Sequence, residues 1–156
     1  MPNLLRSLGH TLAALTTNGR QFNAAWTRAG DDPVQCRRWL GEWRSQTNGH
    51  HGALRCVLRR LSDSEYDAFF HARYGGFLRV CYRVRLHALP GSDRGQLEGE
   101  ADLGALAGGV YTYRGDLQKD RLTCSYACRY DQGEFQLQLV TSPNQAAGST
   151  PSPPPP

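Results

Sequence analysis

The sequence predicts a mainly β protein, an eight-stranded antiparallel up-and-down β-barrel with N-terminal helices. Three observations predict this fold class. Apolar and polar residues alternate with a period of two from about Trp39 to Val140, which is the pattern of a sheet with one buried face. Turn-forming residues divide this region into eight segments at short and regular spacing. The chain also contains 17 glycines, which suit the turns and bulges of such a sheet.

The segment before the barrel, residues 1–38, is predicted to form helices that pack on it. A first helix is predicted by leucines at helical spacing, which are Leu4, Leu5, Leu8, Leu12 and Leu15. A second helix is predicted from Arg20 to Arg28. The pair Asp32-Pro33 is typical of a helix start, so a short third helix is predicted to end at Trp39 or Leu40.

The barrel itself is predicted over residues 39–140. Its clearest strand runs from Phe77 to Leu89, and alternate residues form the apolar face of that strand, namely Leu78, Val80, Tyr82, Val84 and Leu86. Even-numbered residues are therefore predicted to face the interior from Leu54 to Leu86. Residues 141–156 consist mainly of Ser, Pro, Gly and Ala and end in PSPPPP, so they are predicted to be a disordered tail.

Length and composition narrow the class of protein. A chain of 156 residues favours one domain with a core that needs no disulfide or metal. The net charge of +4 is too small to indicate nucleic acid binding by itself.

Five cysteines, an odd number, are interpreted as reduced, which favours the cytoplasm. No apolar run is long enough to predict a membrane span. Residues 1–30 contain three arginines and no acid, so an organellar presequence is the alternative to an amphipathic helix there.

A short motif at the first strand carries a family resemblance. Gly41-Glu42-Trp43 follows a predicted short helix and precedes the eight-strand meander. In this layout the chain resembles the calycin superfamily, which comprises the lipocalins, the fatty-acid-binding proteins and their small intracellular relatives. The resemblance implies that Trp43 closes one end of the barrel and that Arg129, from a late strand, packs across it. It also implies an interior that holds a small apolar or amphipathic ligand. Some intracellular relatives bind haem, although no residue here stands out as its proximal ligand.

Tyrosines are the candidate polar groups of that interior. Tyr82 and Tyr126 lie on the apolar faces of their strands, and Tyr111 and Tyr113 share a face of another. Buried tyrosine hydroxyls need hydrogen-bond partners, so together with Arg129 they could hold a carboxylate or hydroxylated ligand. The alternative is that the tyrosines only fill a small core. The predicted ligand-binding set is Tyr82, Tyr111, Tyr113, Tyr126 and Arg129.

Two other kinds of binding site are alternatives to a ligand site in the barrel interior: a patch of arginines on the outer face, and a group of histidines. Arg79, Arg83 and Arg85 share the outer face of one strand and could bind an acidic partner or nucleic acid, although such a face is often merely solvated. Three histidines are candidates for a metal or haem, although two of them fit a polar turn equally well; they are His50, His51 and His71. The sequence has no Gly-x-Ser-x-Gly motif and no Cys next to a His. These observations favour a non-enzymatic, lipocalin-like barrel that binds a small apolar or amphipathic molecule in its interior.

Overall fold

A computed structural model describes residues 19–91 and 95–141 of the chain. Within these ranges residues 19–31 form a helix, α1, and the rest is mainly β. The strands are β1 Cys36–Ser45, β2 His51–Arg60, β3 Glu65–Tyr74, β4 Leu78–Ala88, β5 Gln96–Asp102, β6 Val110–Leu117, β7 Arg121–Ala127 and β8 Gln132–Leu139. Each strand pairs antiparallel with the next, and β8 pairs with β1, so the sheet closes into an eight-stranded barrel. The predicted fold class is confirmed.

The interior of the barrel is filled by alternate residues of every strand. From Leu54 to Leu86 the inward residues are even-numbered, as predicted. The reason is the strand register, which places even-numbered residues of β2, β3 and β4 opposite one another. The largest fully buried side chains of this interior are Trp39, Phe70, Leu54, Leu122, Leu137, Val84 and Cys56. Their burial stabilises the fold by removing apolar surface from water.

One helix prediction is wrong, because the residues before Trp39 belong to the barrel. Residues 33–35 form a turn, and β1 begins at Cys36. Trp39 pairs with Cys56 on one side and with Leu139 on the other. This two-sided strand pairing outweighs the local helical signal of Asp32-Pro33. The helix predicted from Arg20 to Arg28 is present and extends over residues 19–31. The helix predicted over Leu4 to Leu15, and residues 142–156, lie outside the described residues.

Helix α1 packs on the outer face of the barrel. Phe22 and Trp26 form a cluster with outward residues of three neighbouring strands, which are Val57, Phe69 and Cys81. The Phe22 and Phe69 rings meet edge to face with 5.2 Å between their centroids. The guanidinium of Arg55 lies 5.0 Å from the centre of the Phe22 ring, a cation–π contact. The helix therefore covers the side of the barrel over β2, β3 and β4.

His71 lies beneath this helix and makes the fold sensitive to acid. Its side chain is 7% exposed and its ring lies 5.2 Å from that of Phe22. Burial first, and then the charge of Arg55, lower the pKa of His71 from its ordinary 6.5 to about 4. Arg73 and Arg79 act in the same direction. The unfolded chain therefore binds a proton near pH 6.5, whereas the folded protein binds it only near pH 4.

We therefore expect the stabilisation from neutral His71 to be complete above pH 6.5 and to be lost as the pH falls to 4. Allowing for solvent screening, the loss should reach about 2 kcal/mol of unfolding free energy. Urea unfolding of the wild type and of His71→Phe, at about pH 7.5 and pH 4.5, measures it. The Phe ring keeps the contact with Phe22 but cannot be protonated, so the variant should lose less stability in acid. Equal losses in both proteins would contradict this role of His71.

Candidate functional site

The interior contains a cavity of about 620 Å³ near one end of the barrel. This is the end where the β1–β2, β3–β4, β5–β6 and β7–β8 connections lie. The apolar wall of the cavity includes Ala72, Val80 and Phe135. The opposite end is filled by buried residues, which include Leu58, Leu86, Leu97 and Leu122. The barrel is thus closely packed at one end and hollow at the other.

A short strand pairing explains why the cavity is open to one side. β4 pairs with β3 from Leu78 to His87, but with β5 only over Arg85 to Ala88. Within residues 19–91 and 95–141, the half of β4 from Leu78 to Val84 has no strand on its other side. The segment 103–109, which contains a single 3₁₀ turn at Ala105–Ala107, borders the cavity instead. The gap between β4 and this segment is the lateral opening of the cavity.

Five tyrosines surround the cavity, and they are Tyr74, Tyr82, Tyr111, Tyr113 and Tyr126. The rings are close to one another, with 6.3 Å between the centroids of Tyr111 and Tyr113 and 6.1 Å between those of Tyr111 and Tyr126. Burial is the main cause that raises the pKa of each of the five above that of an ordinary phenol. All five therefore remain neutral near pH 7, and their hydroxyl groups can donate and accept hydrogen bonds.

An acidic group lies at the polar end of the cavity. Asp131, in the β7–β8 connection, accepts a hydrogen bond from the Ser45 hydroxyl at 2.6 Å and one from the Tyr126 hydroxyl at 3.3 Å. Gly133 makes room for this contact, because a Cβ there would lie 2.5 Å from the Tyr126 hydroxyl oxygen. In the described part of the chain, no Arg, Lys or His forms an ion pair with Asp131. The cavity thus combines apolar walls and neutral phenols with two carboxylates, Asp131 and the exposed Asp102, neither of which has an ion-pair partner among the described residues.

The structure brings together four of the five predicted ligand-binding residues. Tyr82, Tyr111, Tyr113 and Tyr126 all line the cavity, although their role in binding remains a prediction. Arg129 lies elsewhere: it is exposed in the β7–β8 connection, with its guanidinium 5.3 Å from the centre of the Tyr130 ring. Arg129 is not among the residues that line the cavity, and its guanidinium contacts the Tyr130 ring rather than Trp43.

Two cavity residues were not predicted. Tyr74 has the inward parity of β3 and could have been found from the alternation that ends at that residue. In the sequence Asp131 belongs to the turn Asp131-Gln132-Gly133. Tyr126 contacts it within the β7–β8 hairpin, but only the closed barrel brings Ser45 of β1 to it. No spacing in the sequence indicates that contact.

Trp43, expected to close one end of the barrel, lies instead in the wall of the cavity. Its side chain is 5% exposed, and its Nε1 donates a hydrogen bond to the main-chain oxygen of Arg73 at 3.1 Å. Its ring lies 4.2 Å from that of Tyr74. The other tryptophan of β1, Trp39, lies four residues earlier in the strand and is fully buried in the core. Trp43 therefore fixes the cavity end of β1 to the end of β3.

Of the three arginines predicted to form an outer patch, Arg83 is engaged with other groups. Arg83 pairs with Asp67 at 2.8 Å and lies 4.0 Å from the centre of the Phe69 ring. Arg85 stands between Asp67 on β3 and Glu100 on β5 in the strand register. Arg79 is exposed and stands opposite Arg73. Acidic neighbours thus offset part of the positive charge that the sequence places on this face.

The three candidate metal ligands do not gather at one point. His50 and His51 are exposed at the start of β2, whereas His71 is buried under α1. Among residues 19–91 and 95–141, no group of three His, Cys, Asp or Glu side chains could hold a metal ion. In the same ranges, no helix has the length and apolar character needed to cross a membrane.

Comparisons with known proteins give one structural likeness. No family model matches the chain, and no curated protein matches it. Among solved structures, the chain is similar to one described as a de novo design of a fluorescence-activating β-barrel. The two share 13% sequence identity with a TM-score of 0.49, over 67% of this chain and 92% of the designed one.

Proposed function

We propose that the protein is a non-enzymatic, lipocalin-like barrel that binds a small apolar or amphipathic molecule in its cavity. The observation that carries this proposal is the cavity of about 620 Å³ inside a barrel whose other end is closely packed. The volume lies within the range of small-molecule sites. The calycin resemblance carried by Gly41-Glu42-Trp43 implies the same class of function, although Trp43 and Arg129 do not lie where that resemblance places them.

Binding would occur by burial of the ligand's apolar part against the wall formed by Ala72, Val80 and Phe135. The tyrosine hydroxyls would then orient its polar end. The lateral opening beside β4 gives access to the cavity, and Leu78, which lines the cavity on this strand, is 45% exposed. Exposed apolar residues at the edge of a cavity are typical of a ligand portal.

The thiol that lines the cavity supports binding over covalent chemistry. Among the described lining residues the cysteine is Cys81, and burial raises the pKa of its thiol above the ordinary value. The thiolate is the reactive form of cysteine, so this side chain is a poor nucleophile at neutral pH. The neutral phenols around the cavity are weak nucleophiles as well.

The proposal is tested by titrating the full chain with 1-decanol in a calorimeter. Burying the nine methylene groups of 1-decanol contributes about 0.8 kcal/mol each, roughly 7 kcal/mol in total before the cost of association is subtracted. We expect one saturable site per chain. A second assay measures whether 1-decanol displaces a neutral dye such as Nile red. The proposal would be contradicted if 1-decanol showed no saturable binding, or if it did not displace the dye.

A further inference from the structure

We propose that the ligand has a cationic amine at its polar end, and that Asp131 and the aromatic rings around the cavity bind this cation. The inference rests on the proposed function and names the chemical class of its ligand, an alkylammonium. It also departs from the carboxylate ligand that an interior with Arg129 would have favoured.

The first argument for a cationic ligand is the distribution of charged residues around the cavity. Asp131 borders the cavity and has no ion-pair partner among the residues that the structure describes. Arg83 is the one basic residue of the described cavity lining, and its guanidinium is bound to Asp67 on the outer face. Asp102 also lines the cavity. An anionic ligand would therefore meet carboxylates without a cation, whereas an ammonium group would compensate the charge of Asp131.

Hydrogen-bonding capacity is the second step. The two oxygens of Asp131 accept one hydrogen bond each, from Ser45 and from Tyr126. An ionised carboxylate can accept about four. Capacity thus remains for the N–H donors of an ammonium group, and charge-assisted hydrogen bonds of this kind are the stronger ones.

The aromatic rings are the third step. Trp43 and Tyr74 are 4.2 Å apart at their centroids and line the same end of the cavity as Tyr111 and Tyr126. Cations are attracted to the faces of Trp and Tyr rings, and groups of such rings recognise alkylated ammonium ligands. After burial, the charge of Asp131 also contributes to raising the pKa of Tyr74, Tyr111 and Tyr126. The negative field of this carboxylate therefore reaches the three tyrosines.

A purely structural role is the competing explanation for Asp131. Its bond to Ser45 joins the β7–β8 connection to the end of β1, and Ser45 in turn accepts hydrogen bonds from the main-chain N–H groups of Thr47 and Asn48. A residue that only holds these connections together would affect ligands of any charge equally. The charge of the ligand therefore distinguishes the two roles.

The test compares three ligands with the same chain, decylammonium, 1-decanol and decanoate, near pH 7 in the wild type and in Asp131→Asn. In the wild type, decylammonium should bind about tenfold more tightly than 1-decanol, and decanoate more weakly than either. Asp131→Asn should lower the affinity for decylammonium several-fold more than the affinity for 1-decanol, and so reduce the preference for the cation to about twofold. Asp120→Asn is the matched control, because it removes one exposed carboxylate from the β6–β7 connection at the filled end. It should change none of the three affinities.

Equal wild-type affinities for the three ligands would overturn the inference while leaving the proposed function intact. An equal loss for all three in Asp131→Asn would also overturn it and assign Asp131 the structural role. Should that variant fail to fold, the wild-type order of affinities decides. Binding of none of the three ligands to the wild type would overturn the proposed function and this inference together.

Discussion

Replacing Gly41 with alanine is expected to lower the free energy of unfolding by about 3 kcal/mol, because two main chains approach each other closely at this position. A Cβ at Gly41 would overlap the carbonyl oxygen of Gln136 and lie 2.9 Å from its carbonyl carbon. These are main-chain atoms of β8, so they can move only by disturbing the pairing that closes the barrel. Urea unfolding measures the change.

The control for this variant is Gly19→Ala in α1. A Cβ at Gly19 would have nothing within 4 Å, so the change should stay within about 1 kcal/mol. A Gly41→Ala protein as stable as this control would show that β1 and β8 do not approach as described. Because Gly41 belongs to the Gly41-Glu42-Trp43 motif, the result also shows what the glycine of that motif contributes to the barrel.

Replacing Val80 with tryptophan is expected to lower the affinity for 1-decanol about 50-fold, because displacing three methylene groups of the ligand costs about 2.4 kcal/mol. Val80 lines the cavity on the half of β4 that has no β5 partner in the described chain. The larger indole can therefore enter the cavity without disturbing a β4–β5 ladder. Calorimetry with 1-decanol measures the effect.

Val34→Trp is the matched control, since Val34 is 78% exposed in the turn before β1, away from the cavity. It introduces the same side chain and should leave the affinity for 1-decanol unchanged. If Val80→Trp bound 1-decanol as tightly as this control, the ligand would have to bind somewhere other than the cavity.

Much of the barrel can be predicted from the sequence, because the alternation of apolar and polar residues along each strand is local, and the closed sheet buries the same residues that the alternation predicts. The inward parity from Leu54 to Leu86 is one example, and it places Tyr82 in the interior directly. The error before Trp39 has the opposite cause. Asp32-Pro33 is a real local signal, but pairing of Trp39 with two strands distant in sequence outweighs it.

The polar end of the cavity was beyond sequence reasoning for a physical reason. The contact of Asp131 with Ser45 joins the β7–β8 connection to the end of β1, and it forms only when the barrel closes. The opening beside β4 is equally a property of the folded chain, because it follows from how far β5 pairs along β4. Strand parity identifies the residues that face inward but not where the interior stays unfilled.

The central claim is that the hollow end of the barrel holds the ligand, and a crystal structure with 10-bromodecan-1-ol tests it most directly. We expect the anomalous signal of bromine inside the cavity, against Ala72, Val80 and Phe135, with the hydroxyl end directed toward Asp131 and Tyr126. Bromine bound only outside the barrel, or side chains that fill the cavity and leave no room for the alcohol, would contradict the claim.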